Sequence, residues 1–197
     1  VIKLMERLMK NHMKDADALY AYAHVSSRIG DIERAESLFE RVLELKPDNE
    51  TAAMAYIYLL KSNGDMKKAL NWLEAVLKDG AESFNLRMTY ARLLTDIKRF
   101  DEAREQFELL YNKKPDNEDL IYALGLLSLQ QNKSSEAEKY FEKLLKLKKY
   151  VFDANYYLGR IVEEKNQLDI AKNFYFNVQG GDHYYDALIR ISLIFVK

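Results

Sequence analysis

Apolar and polar positions along this chain repeat with a period of 34 residues. At each repeat an alanine is followed four positions later by a large apolar residue, and after three more positions by an aliphatic residue. Spacings of three, four and seven place side chains on one face of a helix. The pattern therefore predicts one amphipathic helix in each of five repeats. The alanines are Ala35, Ala69, Ala103, Ala137 and Ala171.

A second periodic segment precedes each alanine and predicts a second helix per repeat. Two adjacent positions of this segment carry a large residue and then, in most repeats, a small one, which suits close packing between helices. Five positions before the alanine the chain carries glycine or asparagine, residues that accept a left-handed backbone after a helix. Lys98 departs from this pattern in the third repeat. The turn residues are Gly30, Gly64, Lys98, Asn132 and Asn166.

The sequence Lys-Pro-Asp-Asn-Glu occurs in two connections between repeats, once at Pro47 and once at Pro115. Proline ends the preceding helix, and the following aspartate or asparagine can cap the next one. The remaining connections lack this proline. Together the two turn types predict a chain of helix hairpins.

The 34-residue period and the order of these residues resemble the tetratricopeptide repeat family. The resemblance implies an all-α fold, a right-handed superhelical solenoid of antiparallel helix hairpins, and one continuous domain. Residues 1–13 are predicted to form the second helix of a truncated repeat, and residues 186–197 the first helix of another. The five complete repeats are predicted at 16–49, 50–83, 84–117, 118–151 and 152–185.

The two end helices predict that this sequence is a fragment of a longer bacterial array. Residues 186–197 are too apolar for a terminal helix, whose outer face should be polar. Natural capping helices are the alternative. If the ends are uncapped, their apolar faces favour formation of a homo-oligomer.

Composition excludes several classes of function. The 30 Lys and Arg residues balance 31 Asp and Glu residues, for a net charge of −1. Nucleic-acid binding, which needs a basic stripe, is therefore not predicted. The absence of cysteine excludes disulfides and cysteine-ligated metals. No stretch reaches membrane-spanning length. No catalytic motif is present, so neither an enzyme nor a cofactor nor a metal site is predicted.

The resemblance implies that the first helices of successive repeats line a concave groove. The predicted groove positions are rich in Tyr, Met and Arg, which are frequent at protein-binding hot spots. The alternative is that Tyr20, Tyr122 and Tyr156 pack against the next repeat. The candidate partner-binding residues are Tyr20, His24, Arg28, Met54, Tyr58, Lys61, Asn85, Met88, Arg92, Tyr122, Leu126, Tyr156, Arg160 and Arg190.

These features predict a non-catalytic scaffold that binds peptide segments or a partner protein in its groove. A self-assembly module is one alternative. The other is an adaptor domain for an enzyme such as a periplasmic protease, because the run from Tyr156 to Arg160 is similar to large proteobacterial tetratricopeptide envelope proteins, some of which are lipoproteins. The sequence leaves a cytoplasmic and a periplasmic location equally open.

Overall fold

The computed structural model describes residues 14–78, 80 and 82–196. Within these residues all regular secondary structure is α-helical, so the predicted fold class is confirmed for them. The helix predicted over residues 1–13 lies outside the described residues. The helices are α1 (Ala16–Arg28), α2 (Ile32–Leu45), α3 (Glu50–Ser62), α4 (Met66–Lys78), α5 (Phe84–Asp96), α6 (Phe100–Lys113), α7 (Glu118–Gln130), α8 (Ser134–Leu147), α9 (Val151–Glu164), α10 (Leu168–Phe176) and α11 (Tyr184–Val196).

Backbone contacts divide the chain into two compact units, Val1–Leu94 and Thr95–Lys197. In the first unit α1 packs on α2, α2 on α3, and α3 on α4. In the second unit each helix from α6 to α10 packs on the next one along the chain. The repeat boundaries and the single continuous domain stay predictions.

The turn inside each hairpin passes through a left-handed residue. All five residues predicted at this position have a positive φ, including Lys98 at 64°. A left-handed conformation costs an L-residue about 1–2 kcal/mol, which glycine avoids. The third repeat therefore has the same left-handed turn as the others, even though its sequence departs from the pattern.

The connections between repeats differ in how they cap the next helix. The Asn49 side-chain oxygen accepts a hydrogen bond from the Ala52 backbone amide at 3.1 Å. Asn117 caps α7 in the same way through the Leu120 amide at 3.0 Å. Asparagine, rather than the preceding aspartate, is thus the cap in both proline-containing connections. Before α9 the proline is missing, and Tyr150 instead enters the helix with a left-handed backbone at φ 47°.

The core of each hairpin depends on small residues that admit a large neighbour. The five periodic alanines are fully buried. A Cβ atom added to Gly125 of α7 would lie 3.0 Å from the Phe141 ring of α8. One added to Gly159 of α9 would lie 2.6 Å from Cε1 of Tyr175 in α10. The predicted pairing of a small position with close helix packing is confirmed at these two glycines.

Arg104 of α6 ties together three helices of the second unit. Its side chain is nearly buried and donates to Glu136 of α8 at 2.8 Å. It also donates to the Ser128 hydroxyl of α7 at 3.1 Å and to the Gln131 side-chain oxygen at 2.7 Å. Charge-assisted bonds of this kind are stronger than neutral ones, so Arg104 fixes α6 against the following hairpin.

Candidate protein-binding surface

In the first unit, α3 and α5 lie side by side and are joined at their first turns. The Glu50 carboxylate accepts hydrogen bonds from the Ser83 hydroxyl and from the Asn85 side-chain amide, both at 2.5 Å. These two hydrogen bonds hold the pKa of the Glu50 carboxyl below its usual range. The charged carboxylate thereby fixes the start of α3 against the start of α5.

The contact between α3 and α5 continues one helical turn further along. The Thr89 hydroxyl lies 3.6 Å from the Met54 sulfur and donates to it. Positions three and four residues apart lie on the same face of a helix. Tyr58, four positions after Met54, and Arg92, three positions after Thr89, are therefore expected on the same surface one turn further along. We refer to the surface formed by Met54, Tyr58, Asn85, Thr89 and Arg92 as the α3–α5 seam.

Two long side chains of the α3–α5 seam are open to solvent. Tyr58 is 74% exposed, an unusual fraction for a large aromatic residue. Arg92 is also exposed. Among the described residues neither side chain takes part in a hydrogen bond, an ion pair or a ring contact. The seam therefore presents an aromatic ring and a guanidinium group that the fold does not use.

Helix α1 contributes three more of the predicted residues. The Tyr20 hydroxyl and the His24 Nε2 atom lie 2.8 Å apart, and both rings contact Phe39 of the same hairpin. Tyr20 thus packs within its own repeat. Arg28, in the last turn, is exposed and forms no ion pair within the described part of the chain.

The remaining predicted residues of the first unit behave differently from one another. Lys61 is exposed at the end of α3, one turn beyond Tyr58. Met88 is only 5% exposed and belongs to the core. Met88 therefore offers almost no surface to a partner, unlike the sequence-based expectation.

In the second unit, Tyr122 is engaged in an aromatic cluster. Its ring stacks on Tyr150 at 4.6 Å between centroids, with an angle of 8° between the planes. It also contacts Tyr157 of α9, the first helix of the next hairpin, at 6.3 Å. The Tyr150 hydroxyl donates to Asp119. Burial raises the pKa of the Tyr122 hydroxyl. Leu126, one turn further along α7, is half-buried against the same core.

Tyr156 and Arg190 join α9 to α11. Tyr156 is 5% exposed, stacks on His183 at 4.1 Å, and donates its hydroxyl to Asp186. Arg190 donates to Asp186 at 2.8 Å and to Glu163 at 2.9 Å. The Tyr156 and Arg190 hydrogen bonds lower the pKa of the Asp186 carboxyl. Tyr156, predicted to line the groove, is thus buried by contacts with the next helix.

The two units therefore differ in what they offer a partner. In the second unit Tyr122 and Tyr156 pack against the following repeat, as the alternative interpretation of the sequence predicted. Arg160 is an exception, since it is partly exposed and its nearest carboxylate, on Glu164, lies 3.9 Å away. The candidate partner-binding residues are therefore exposed mainly in the first unit.

Sequence reasoning missed three residues that occupy the second unit's face: Tyr150, His183 and Asp186. One sequence feature marked Tyr150, because it follows a connection that lacks the usual proline. No sequence feature marked His183 or Asp186, since their partners lie about 30 residues away in the chain. No group of three or more metal-ligating side chains occurs in the described residues. None of the described helices combines the length and apolar character needed to cross a membrane.

Comparison with known families accounts for this architecture. Residues 29–108 match the family model of the anaphase-promoting complex, cyclosome, subunit 3, and residues 122–171 match that of the tetratricopeptide repeat. The chain belongs to the tetratricopeptide repeat family. No curated protein sequence matches it.

Solved tetratricopeptide repeat structures have the same fold at low sequence identity. A Parabacteroides merdae tetratricopeptide repeat protein aligns with a TM-score of 0.75 at 16% identity, over 92% of this chain and 72% of that one. YrrB, described as a TPR protein with an unusual peptide-binding site, aligns with a TM-score of 0.67 at 18% identity, over 88% and 90%. Pseudomonas aeruginosa pilF aligns with a TM-score of 0.67 at 19% identity, over 92% and 89%.

Membership of the tetratricopeptide repeat family supplies the general role of the chain. Tetratricopeptide repeat proteins are protein–protein interaction scaffolds and are generally non-catalytic. This agrees with the predicted scaffold function at its coarse level. The fold alone does not identify the ligand, because the side chains on the binding surface determine which ligand it takes.

Proposed function

We propose that this tetratricopeptide repeat chain is a non-catalytic scaffold that binds a peptide segment of another protein along the α3–α5 seam. The observation that carries the proposal is Tyr58, whose ring is 74% exposed on the α3–α5 seam, to which the exposed Arg92 also belongs. Tyrosine and arginine are enriched at hot spots because they combine a large contact area with a polar end. The resemblance in fold to YrrB, whose description includes a peptide-binding site, also favours a peptide ligand.

The chemistry of the α3–α5 seam selects a particular kind of segment. Met54 offers an adaptable apolar surface. Arg92 can bind a carboxylate through two parallel hydrogen bonds. The Glu50 carboxylate is already satisfied by Ser83 and Asn85. We therefore expect an extended segment that places an apolar or aromatic side chain on Tyr58 and an acidic side chain on Arg92.

Removal of the two open side chains is expected to weaken binding strongly without unfolding the chain. Peptides selected by phage display on the wild-type protein would be measured by fluorescence anisotropy on the double variant Tyr58→Ala/Arg92→Ala. A loss of about 2 kcal/mol or more, roughly thirtyfold in Kd, is expected for hot-spot residues. The circular dichroism spectrum should stay unchanged, because neither side chain contributes to packing.

The matched control for this experiment lies on α11 and α2. Tyr185 is 76% exposed, like Tyr58, and Arg41 is an exposed arginine outside the seam. Tyr185→Ala/Arg41→Ala should retain the wild-type Kd. The proposal fails if the selected peptides bind Tyr58→Ala/Arg92→Ala as tightly as wild type, or if selection enriches no peptide.

Self-association through α11 is a second candidate function, favoured by the apolar face of that helix. Leu193 is 57% exposed, Phe195 66% and Val196 87%. The positions 34 residues earlier, in α9, are buried in the described structure. A contiguous apolar surface of this kind favours association in water. Assembly of two copies through α11 would cover it.

Sedimentation equilibrium over a range of protein concentrations tests self-association. The wild-type chain is expected to form a dimer whose population rises with concentration, and Leu193→Glu/Phe195→Glu should remain a monomer, because burying two unpaired carboxylates is unfavourable. A wild-type chain that is monomeric at every concentration contradicts this second candidate.

A further inference from the structure

A cleft of about 660 Å³ lies between the second helices of the first unit, away from the α3–α5 seam. It opens between α2 with its following turn and the C-terminal half of α4. Ligand pockets in proteins generally have volumes of about 300–1,000 Å³. The seam and the cleft share no residue, so the cleft constitutes a separate candidate site.

The wall of the cleft is apolar and includes Trp72, the single tryptophan of the chain. Its indole ring meets the buried Tyr56 ring edge-on, at 5.6 Å between centroids and 88° between the planes. Leu43 and Val76 flank it. Trp72 is partly exposed, so one side of the ring packs on the core and the rest faces the cleft. An apolar side chain entering the cleft would bury this surface.

The rim of the cleft is acidic. Glu40, Glu44 and Asp48 line it, and none of its described lining residues is basic. Glu40 accepts a hydrogen bond from the Tyr56 hydroxyl at 2.7 Å and lies 3.3 Å from the Lys68 amine. Glu44 pairs with Arg41 on its own helix. Asp48 is exposed and forms no ion pair among the described residues.

A smaller cleft of about 170 Å³ continues the acidic rim on the other side of the turn. The two clefts share Pro47 and Asp48, and the smaller one adds Glu50 and Glu82. The turn after α2 is thus bordered by carboxylates on both sides. A segment that crosses it meets negative charge along its path.

We propose that this cleft is a second binding site, and that it takes a segment of a partner protein in which an apolar side chain is flanked by lysine or arginine. The apolar side chain packs on Trp72 and Val76. The flanking cations pair with Glu44 and Asp48, and one of them can lie over the indole ring in a cation–π contact. This site selects charge opposite to that expected at the α3–α5 seam, and it does not depend on that proposal.

Trp72 supplies a direct readout of the cleft, because it is the chain's single tryptophan. The probe is a tryptophan-free synthetic peptide in which leucine is flanked on both sides by lysine. The comparison peptide replaces each lysine with glutamate. The lysine peptide is expected to shift the Trp72 emission saturably, with an affinity that falls as salt is added, because exposed charges are screened. The glutamate peptide should leave the emission unchanged.

Charge-neutral variants separate the cleft from the net charge of the chain. Glu44→Gln/Asp48→Asn removes two rim carboxylates and is expected to raise the Kd of the lysine peptide at least tenfold. The matched control Glu33→Gln/Glu74→Gln removes two carboxylates from α2 and α4 outside the cleft and should keep the wild-type Kd. Tyr58→Ala/Arg92→Ala should also keep it, so failure at the seam is distinguishable from failure at the cleft.

Three results would overturn the proposal. The first is no saturable change in Trp72 emission with the lysine peptide. The second is an equal response to the glutamate peptide, which would show that charge does not select the ligand. The third is an equal loss of affinity in the cleft variant and in its matched control.

Discussion

Replacing Phe141 with alanine is expected to lower the free energy of unfolding by about 3–5 kcal/mol. Phe141 is fully buried in the core of the second unit, and its ring stacks on Tyr157 at 5.0 Å. It also lies directly beneath Gly125. Since glycine has no side chain that could move into the vacated space, a cavity should remain. The cost therefore includes both the lost burial and the cavity.

Urea unfolding followed by circular dichroism measures this loss. Phe176→Ala is the matched control, because Phe176 is also a phenylalanine of the second unit but is 53% exposed. Its substitution should change the free energy of unfolding by no more than about 0.5 kcal/mol. Equal effects of the two substitutions would contradict the packing described for Phe141.

Gly159→Ala is expected to destabilise the chain by about 1–3 kcal/mol, as overpacked cores are. The added methyl group would lie 2.6 Å from Cε1 and 2.8 Å from Cδ1 of Tyr175. The Tyr175 ring cannot withdraw easily, since it is 1% exposed and its hydroxyl donates to Glu163 at 2.6 Å. Alanine is favoured over glycine in a helix by about 1 kcal/mol, so the steric cost must exceed that gain.

The same substitution made in a Tyr175→Leu variant tests whether the Tyr175 ring causes the destabilisation by Gly159→Ala. Tyr175→Leu removes the ring atoms that the new methyl group would meet. In that background Gly159→Ala should be neutral or stabilising by up to about 1 kcal/mol, the helix-propensity gain alone. Thermal and urea unfolding of the four proteins in the cycle give the coupling. The same destabilisation in both backgrounds would show that the ring is not responsible.

The helical hairpins were predictable from the sequence because each depends on local, periodic chemistry. The alanine spacing identifies the packed face of each second helix. Gly125 and Gly159 identify the positions where an aromatic ring approaches most closely. Lys98 shows the limit of such reasoning, since it adopts the left-handed backbone of the turn although lysine is not a residue that favours it.

The candidate site was predictable only as a set of positions. The sequence assigned both Tyr58 and Tyr156 to the groove face of a first helix. Their exposures differ widely, because Asp186 and His183 cover Tyr156 whereas no described side chain covers Tyr58. Periodicity assigns a position to a face of a helix, but it does not state what the following repeat places on that face.

Residue spacing and backbone preference within one hairpin are enough to specify the repeat, its two helices and the positions on the surface of a first helix. Which of those positions are open depends on the packing of one hairpin on the next. Tyr122, Tyr156 and Arg190 pack between helices, whereas Tyr58 and Arg92 stay exposed. The same packing also forms the Trp72 cleft, since α2 and α4 meet only when successive hairpins pack together. Contacts between repeats set these outcomes, and their partners lie some 30 residues apart in the chain.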